Sequence, residues 1–385
     1  MASNYSYHRI LPQNAKDSYK EFDVVDFEMD FPERSLLLGT VRLEGEVEIT
    51  VDNTITLNQN VATSIGGNAD TLDIKIDGRA GAHSFIENIT TTVNGQVVES
   101  LGDYARYCKM STVAMSSPDD TTCNSSQVCE LKAGQDNITN NILRGEIVAN
   151  DPNMADGIPV RNNPDFSIKP RICLNGGQGQ LPARRASNIQ VSFNLARNYG
   201  ALYGMDNANV VAYALKDLRL VYVSVPDDGS NDPIPVRTKL NVKQSIASAK
   251  ANVNVRVNAS CDAMSASFQV QSQENSAKYN NLVCHPVPNL VSTQFLFNDQ
   301  TNSLVSYQIR NNAEIIDRAI DSFVDAEKNS CSPPLVANGD NFLMGLNFDE
   351  MIPLGNQKFS VEIDSSITNL VPLVMYMYFH SMTEL

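Results

Sequence analysis

Apolar and polar residues alternate one for one along much of this chain. Val25, Phe27, Met29 and Phe31 are separated by acidic residues. Val41, Leu43, Val47, Ile49 and Val51 alternate with Arg42, Glu44, Glu46, Glu48 and Thr50. The same period returns at Leu72, Ile74 and Ile76, at Ile189, Val191, Phe193 and Leu195, and at Val221, Val223 and Val225. It continues in the second half at Val253, Val255 and Val257, at Phe268 with Val270, and at Phe359, Val361 and Ile363. A strand turns successive side chains to opposite faces, so each run predicts one face in a core and one toward water. That is the habit of antiparallel sheets. Many such runs, punctuated by turn residues and with few helices between them, predict a sandwich or a barrel.

Helical spacing stands out twice. Ile315, Ile316, Ala319, Ile320, Phe323 and Val324 form one apolar stripe, with Glu314, Asp317, Arg318 and Asp321 opposite and Asn311 or Asn312 as N-cap. A weaker candidate runs from Leu101 to Met115 and carries Tyr104, Ala105, Tyr107, Met110 and Val113. Each follows a strand and a short polar turn: Val93-Asn94-Gly95-Gln96 in the first case, Phe297-Asn298-Asp299-Gln300 in the second. Asn-Gly suits a two-residue hairpin because both residues tolerate positive φ. Asn94 and Asn298 lie 204 positions apart, about half the chain, so the recurring order of strand, turn and helix predicts one architecture used twice.

The length of 385 residues is natural for two domains, each able to bury its own core. The exposed-looking connector Pro226-Asp227-Asp228-Gly229-Ser230-Asn231-Asp232-Pro233 divides residues 24–226 from residues 227–385, with residues 1–23 as an N-terminal arm. Residues 116–170, rich in Asp, Asn, Ser, Gly and Pro, are too long for a simple loop and read as an insertion projecting from the first domain. Residues 42% hydrophobic and 19% charged exclude wholesale disorder. The net charge of −15, without a basic tail, makes the chain a poor ligand for phosphate backbones, so no direct nucleic-acid binding is expected. No signal peptide is visible at Met1 to His8, and the apolar run from Leu370 to Phe379 is short and contains Pro372, so a soluble, non-secreted chain is expected. Seven Cys cannot all pair within one copy; free thiols are expected, with Cys123 and Cys129 the one close pair that could form a loop disulfide.

Candidate chemistry is sparse, and no catalytic, cofactor-binding or metal site is assigned. The four His (His8, His83, His285 and His380) form no zinc-binding spacing, and packed or surface roles are expected for His83 and His380. Asn175-Gly176-Gly177-Gln178-Gly179 lacks the Lys-Ser or Lys-Thr and the helix of a phosphate loop, and reads as a turn. Asp119-Asp120 and Asp227-Asp228 lack the ligand spacing of a calcium loop and read as solvated turns. Arg184-Arg185 is too isolated for a nucleic-acid surface. Four dispersed His supply a cupin-like metal enzyme poorly, so no enzymatic activity is expected.

One stretch is similar to a known family. Asp77-Gly78-Arg79-Ala80-Gly81-Ala82-His83-Ser84-Phe85-Ile86-Glu87-Asn88-Ile89, continuing through Val93-Asn94-Gly95-Gln96-Val97-Val98-Glu99-Ser100 to Tyr104-Ala105-Arg106, resembles the first barrel of double jelly-roll major capsid proteins of Polinton-like viruses, virophages and related DNA viruses. Ile189 to Ala196 resembles a later strand of that barrel, and the aromatic-rich segment Leu373 to His380 resembles the closing strand of the second. The resemblance implies an all-β fold of two tandem eight-stranded antiparallel jelly-roll barrels with short helices in the inter-strand loops. It further implies a homotrimer with a pseudo-hexagonal outline in the capsid of a virion, assembled inside the host cell. Neighbouring capsomers, penton and minor capsid proteins would be its partners, with an internal membrane possible beneath the shell. Residues 116–170 would then be an outward tower. The alternative is another β-rich structural or binding protein, such as a minor vertex protein or a receptor-binding module.

Overall fold

The computed structural model describes residues 4–51, 55–56, 75–77, 80–115, 165–203, 211–230, 232–297, 300–301, 307–308, 323, 326–327, 342–356, 358–367 and 370–385. The first half holds β1 (Ser6–Ile10), β2 (Val24–Met29), β3 (Arg34–Leu37), β4 (Arg42–Val51), β5 (Ile55–Thr56), β6 (Lys75–Ile76), β7 (Ile86–Val93), β8 (Gln96–Leu101), β9 (Asp165–Ile168), β10 (Gln180–Pro182), β11 (Ile189–Leu195), β12 (Leu202–Tyr203) and β13 (Val211–Pro226). The second half holds β14 (Pro235–Ile246), β15 (Lys250–Val255), β16 (Ser260–Val270), β17 (Leu290–Phe297), β18 (Gln300–Thr301), β19 (Tyr307–Gln308), β20 (Leu343–Pro353), β21 (Phe359–Ser365) and β22 (Leu373–Glu384).

In the first half β13 lies between β1 on one side and both β3 and β4 on the other, while β10 and β9 pair with β3 and β4 respectively. β3–β4 and β9–β10 are therefore two long strands, each broken midway. The facing sheet runs β2–β11–β7–β8. In the second half one sheet runs β14–β22–β16–β20 and the other β15–β21–β17–β18. Counting each broken strand once, the described residues of each half contain eight principal strands with the same wiring. The first strand pairs with the eighth, the eighth with the third and the third with the sixth in one sheet; the second, seventh, fourth and fifth follow one another in the other. This is jelly-roll wiring, and all of the registers are antiparallel.

The alternating runs form these strands, and most bury the face that the pattern predicts. Val25, Phe27, Met29 and Phe31 are buried, as are Ile189, Val191, Phe193 and Leu195, Val253, Val255 and Val257, and Phe359, Val361 and Ile363. The Asn94-Gly95 hairpin has φ of 51° and 78° at its two central residues, the geometry that Asn-Gly supplies cheaply. It carries β7 into β8, and a helix follows at Tyr104–Met115. The matching hairpin pairs Phe297 with Gln300, but Asn298 and Asp299, like most of the helix expected at residues 311–324, lie outside the described residues; Phe323 is helical and fully buried.

Four expectations need correction. The N-terminal arm expected over residues 1–23 contains β1, which pairs with β13 from Ser6↔Ser224 to Ile10↔Leu220, so these residues are barrel. Within the insertion expected over about residues 116–170, Asp165–Ile168 is instead a strand of the first barrel that pairs with β4 and buries Phe166 and Ile168 in the core. Residues 116–164, with Asp119, Asp120, Cys123 and Cys129, lie outside the described residues. In β13 the core face is Leu218, Leu220 and Tyr222, while Val221 and Val223 are only partly buried on the other face. The two sets interleave, both are strand formers, and a bulge between Lys216 and Arg219 shifts the phase, so alternation alone does not choose between them. Finally, β16 and β22 do not alternate at all: every residue from Cys261 to Gln269 and from Leu373 to Ser381 is buried.

The last correction locates the centre of the molecule. One face of the β14–β22–β16–β20 sheet, with Met264, Ala266, Phe268, Met375, Met377 and Phe379, fills the second core. Its other face packs against the first barrel, whose core cluster takes in Val374, Tyr376 and Tyr378 together with Cys284, Phe323 and Leu343. No helix among the described residues is long and apolar enough to cross a membrane.

Candidate functional site

The buried seam between the barrels is the candidate functional site, because it gathers most of the buried charge. From the first barrel it receives the Tyr104–Met115 helix and β8; from the second it receives β14, β16, β22 and the loop after β16.

The helix supplies the central contacts. Arg106, 2% exposed, donates from Nη1 to the Val283 carbonyl at 3.0 Å and from Nη2 to the Asn281 carbonyl and the Gln269 side chain. Its guanidinium lies 4.0 Å from the centre of the Tyr376 ring, a cation–π contact inside the protein. One residue on, Tyr107 donates to Glu327 Oε2 at 3.2 Å and packs its ring against Tyr378 and His380. Lys239 Nζ from β14 lies 5.1 Å from the Tyr107 ring centre. Before the helix, the Asp103 carbonyl accepts from Tyr378 Oη at 2.8 Å, and Gly102 N–H donates to Asn241 Oδ1 at 3.0 Å. Glu99 joins three segments: one carboxylate oxygen accepts from Cys173 N–H at 2.7 Å and the other from Lys239 N–H at 3.2 Å. Burial outweighs its neighbour Lys239 and pushes the Glu99 carboxyl up. Beside this contact the barrels approach so closely that a Cβ at Gly177 would lie 2.9 Å from Leu38 Cδ1 and 3.1 Å from Val236 Cγ1.

A Ser-His-Glu cluster sits at the heart of the seam. Ser265 Oγ lies 2.8 Å from Glu327 Oε1 and 3.0 Å from His380 Nε2, and His380 Nε2 lies 3.2 Å from Glu327 Oε1. Burial alone would raise the Glu327 carboxyl, but His380, Ser265 and Arg237 outweigh it and hold it at about 2. Burial pushes His380 down against the pull of Glu327. The geometry is unlike a nucleophilic triad. There the acid orients one ring nitrogen and the other, unprotonated, takes the serine proton. Here Ser265 and Glu327 share Nε2, while Nδ1 meets no hydrogen-bonding group among the described residues. His380 and Ser265 are fully buried and Glu327 is 4% exposed. The cluster is a lock between strands.

A second ionic group lies one turn further along the helix. Lys109 Nζ is 2.8 Å from Asp77 Oδ2, with both side chains at 5% exposure or less. Asn280 Nδ2 from the second barrel donates to the same oxygen at 2.7 Å, and Ala80 N–H donates to Asp77 Oδ1 at 3.0 Å. His83 lies in the adjoining Gly81–Phe85 turn, where Nδ1 is 2.9 Å from Tyr104 Oη; burial and Arg171 lower it to about 3.

The other residues weighed from the sequence fall into structural places. His8 stacks on Tyr222 at 4.7 Å and meets Ser224 Oγ at 2.8 Å, and His285 Nδ1 accepts from Val270 N–H. Asn175 ties its loop to Val41 by accepting from the backbone N–H at 3.0 Å and donating to the carbonyl at 2.9 Å. Arg184 pairs with Asp227 at 2.6 Å, and Arg185 donates to the Asp232 carbonyl, so this basic pair tethers the connector. Asp227 and Asp228 accept from Gly229 and Ser230 N–H in tight turns. Among the described residues no group of three or more His, Cys, Asp or Glu is placed to hold a metal. Sequence reading missed the seam. Ser265, Ser267 and Gln269 alternate with apolar residues and mimic a solvent face, and nothing local marks Lys109, Asp77, Asn280 or Glu327 as meeting across barrels.

No protein-family model matches this chain, and no curated protein matches it. Solved structures do. The Faustovirus major capsid protein superposes with a TM-score of 0.65 at 9% identity, over 99% of this chain and 90% of that one. A chain of the Sputnik virophage particle gives 0.57 at 10% identity, over 99% and 86%. The mavirus major capsid protein gives 0.51 at 8% identity, over 98% and 86%. The likeness spans both barrels and establishes the fold as a double jelly roll.

Proposed function

We propose that this chain is a viral major capsid protein whose work is geometric: it trimerises into pseudo-hexagonal capsomers that tile an icosahedral shell. The observation that carries the reading is the pairing of two identically wired barrels in one chain across a buried, charged seam. Three such chains around an axis present six similar barrels, and an outline near six-fold packs a closed lattice by repeated equivalent contacts. Solved capsid proteins with this fold, matched over nearly the whole chain, support the assignment. The seam suits the role because a building block must keep its two halves in fixed relation while its outer surfaces bind neighbours. The net charge of −15 suits a chain that leaves genome contact to other components. Penton and minor capsid proteins would close the vertices, and a membrane beneath the shell is compatible with the reading.

Negative-stain microscopy and light scattering of the purified chain test it. Flat trimers with a six-fold outline are expected. Monomers, or five-fold rings, would instead favour the minor vertex or receptor-binding reading.

A further inference from the structure

We propose that Lys109 and Asn280 join in an intramolecular isopeptide bond, with Asp77 as proton relay, so that the two barrels are stitched covalently through their side chains. The inference goes beyond the capsid reading and does not depend on it.

Three chemical requirements meet at this spot. The first is a lysine held out of water: the Lys109 side chain is 4% exposed, midway along the Tyr104–Met115 helix of the first barrel. The second is a carboxyl group touching both nucleophile and leaving group. Asp77 Oδ2 accepts from Lys109 Nζ at 2.8 Å and from Asn280 Nδ2 at 2.7 Å. The third is a donor at the carbonyl oxygen where negative charge develops. Leu282 N–H points at Asn280 Oδ1 at 2.9 Å. Ala80, Ala105 and Leu282 form a small apolar cluster here, which keeps bulk water from the three groups. An inert ion pair needs neither the amide on the shared oxygen nor the donor on the amide carbonyl.

The bonding changes balance without any other reagent. Lys109 passes a proton to Asp77, giving a neutral amine and a carboxylic acid. The amine lone pair attacks Asn280 Cγ, and the carbonyl electron pair moves onto Oδ1, held by Leu282 N–H. Asp77 protonates the amide nitrogen and takes the second proton from Nζ. The electron pair on Oδ1 re-forms the carbonyl, and the old C–N bond breaks. An amide joins Nζ to Cγ, ammonia leaves, and it takes the remaining proton from Asp77 as ammonium. Holding the amine and amide on one carboxylate oxygen supplies the proximity that this slow reaction lacks in solution.

Intact-mass spectrometry of the full chain, purified folded and then denatured, tests the proposal together with tryptic mapping. The chain is expected to be lighter by one ammonia, with no cleavage after Lys109 and a branched peptide containing Lys109 and Asn280. Lys109→Arg, which keeps the ion pair, and Asp77→Asn should each restore the full mass and abolish the branched peptide. If Asp77→Asn fails to fold, Lys109→Arg and the wild-type map still decide. A folded wild-type chain of full mass with normal cleavage at Lys109 overturns the proposal. Ammonia loss without the branched peptide marks a cyclised Asn280 and also overturns it. Loss of one water with a Lys109–Asp77 link overturns the role given to Asp77.

Discussion

Replacing Arg106 by Met is the most direct probe of the seam. The side chain keeps its length and apolar stem, so no large cavity opens, but three acceptors lose their charged donor: the buried Gln269 side chain and the partly buried Val283 and Asn281 carbonyls. Each buried polar group left unmatched costs about 1–3 kcal/mol, and the stack on Tyr376 is worth about 2 kcal/mol when desolvated. Removing the guanidinium also recovers its own burial cost and leaves no bare charge behind, so the net expectation is about 2–4 kcal/mol. At a slope of about 3 kcal/mol per molar urea the midpoint falls by about 1 M. The chain has no Trp, so far-UV circular dichroism is the signal, with protein concentration held constant across variants. Arg106→Lys should recover only part of the loss, since an ammonium cannot present the planar fork that reaches all three acceptors. A loss for Arg106→Met below about 1 kcal/mol, the worth of one ordinary hydrogen bond, would refute the claim that this residue ties the barrels together.

Other outcomes follow from the same geometry. His83 is neutral when folded and titrates at about 3, so the unfolded chain binds its proton first as pH falls below about 6.5; stability is lost from there down to about 3, at up to about 1.4 kcal/mol per pH unit. His83→Gln should flatten that part of the profile relative to wild type, and equal slopes would count against the buried neutral ring. Glu327, held at about 2, contributes stability that is present above the ordinary carboxylate range near 4.3 and lost as pH falls toward 2, so Glu327→Gln should show a shallower acid limb in the same denaturation series. Gly45→Ala should cost about 1–3 kcal/mol, because the new Cβ would lie 2.6 Å from Leu218 Cδ2 and 3.0 Å from the Lys216 carbonyl at the β13 bulge; an unchanged melting temperature would contradict this. The buried thiols of Cys108, Cys173, Cys261 and Cys284 should resist a thiol reagent until denaturant is added, read by peptide mapping after labelling.

Much of the fold was legible because an antiparallel strand with one wet face writes its period directly into the sequence. Phe27, Val191 and Val361 each announced a core face in this way. Asn94-Gly95 marked its hairpin through backbone chemistry that few other pairs supply. Legibility fails where a strand is buried on both faces. Ser265, Ser267 and Gln269 are polar by alternation, yet all three are fully buried against the other barrel. Alternation reports polarity, and a polar face can meet water or a partner rich in hydrogen bonds. Arg106 was visible only as part of a Tyr-x-Arg resemblance; its partners Gln269, Asn281 and Val283 lie more than 160 positions away, and no local rule reaches that far. The β13 reading failed for a different reason, since Val221 and Val223 are good strand formers that happen to lie outside.

The place of β22 in chain order bears on how the protein is made. It follows every other strand, yet it lies between β14 and β16 and turns Tyr376, Tyr378 and His380 onto the first barrel. A ribosome must therefore deliver residues up to Glu384 before either the second barrel or the seam can close, while the first barrel, completed by β13, can fold much earlier. Chains cut short upstream of Leu373 would expose the unpaired edges of β14 and β16, which marks them for clearance and keeps them out of the pool of finished subunits. The second barrel and the seam thus close together, on the arrival of one strand.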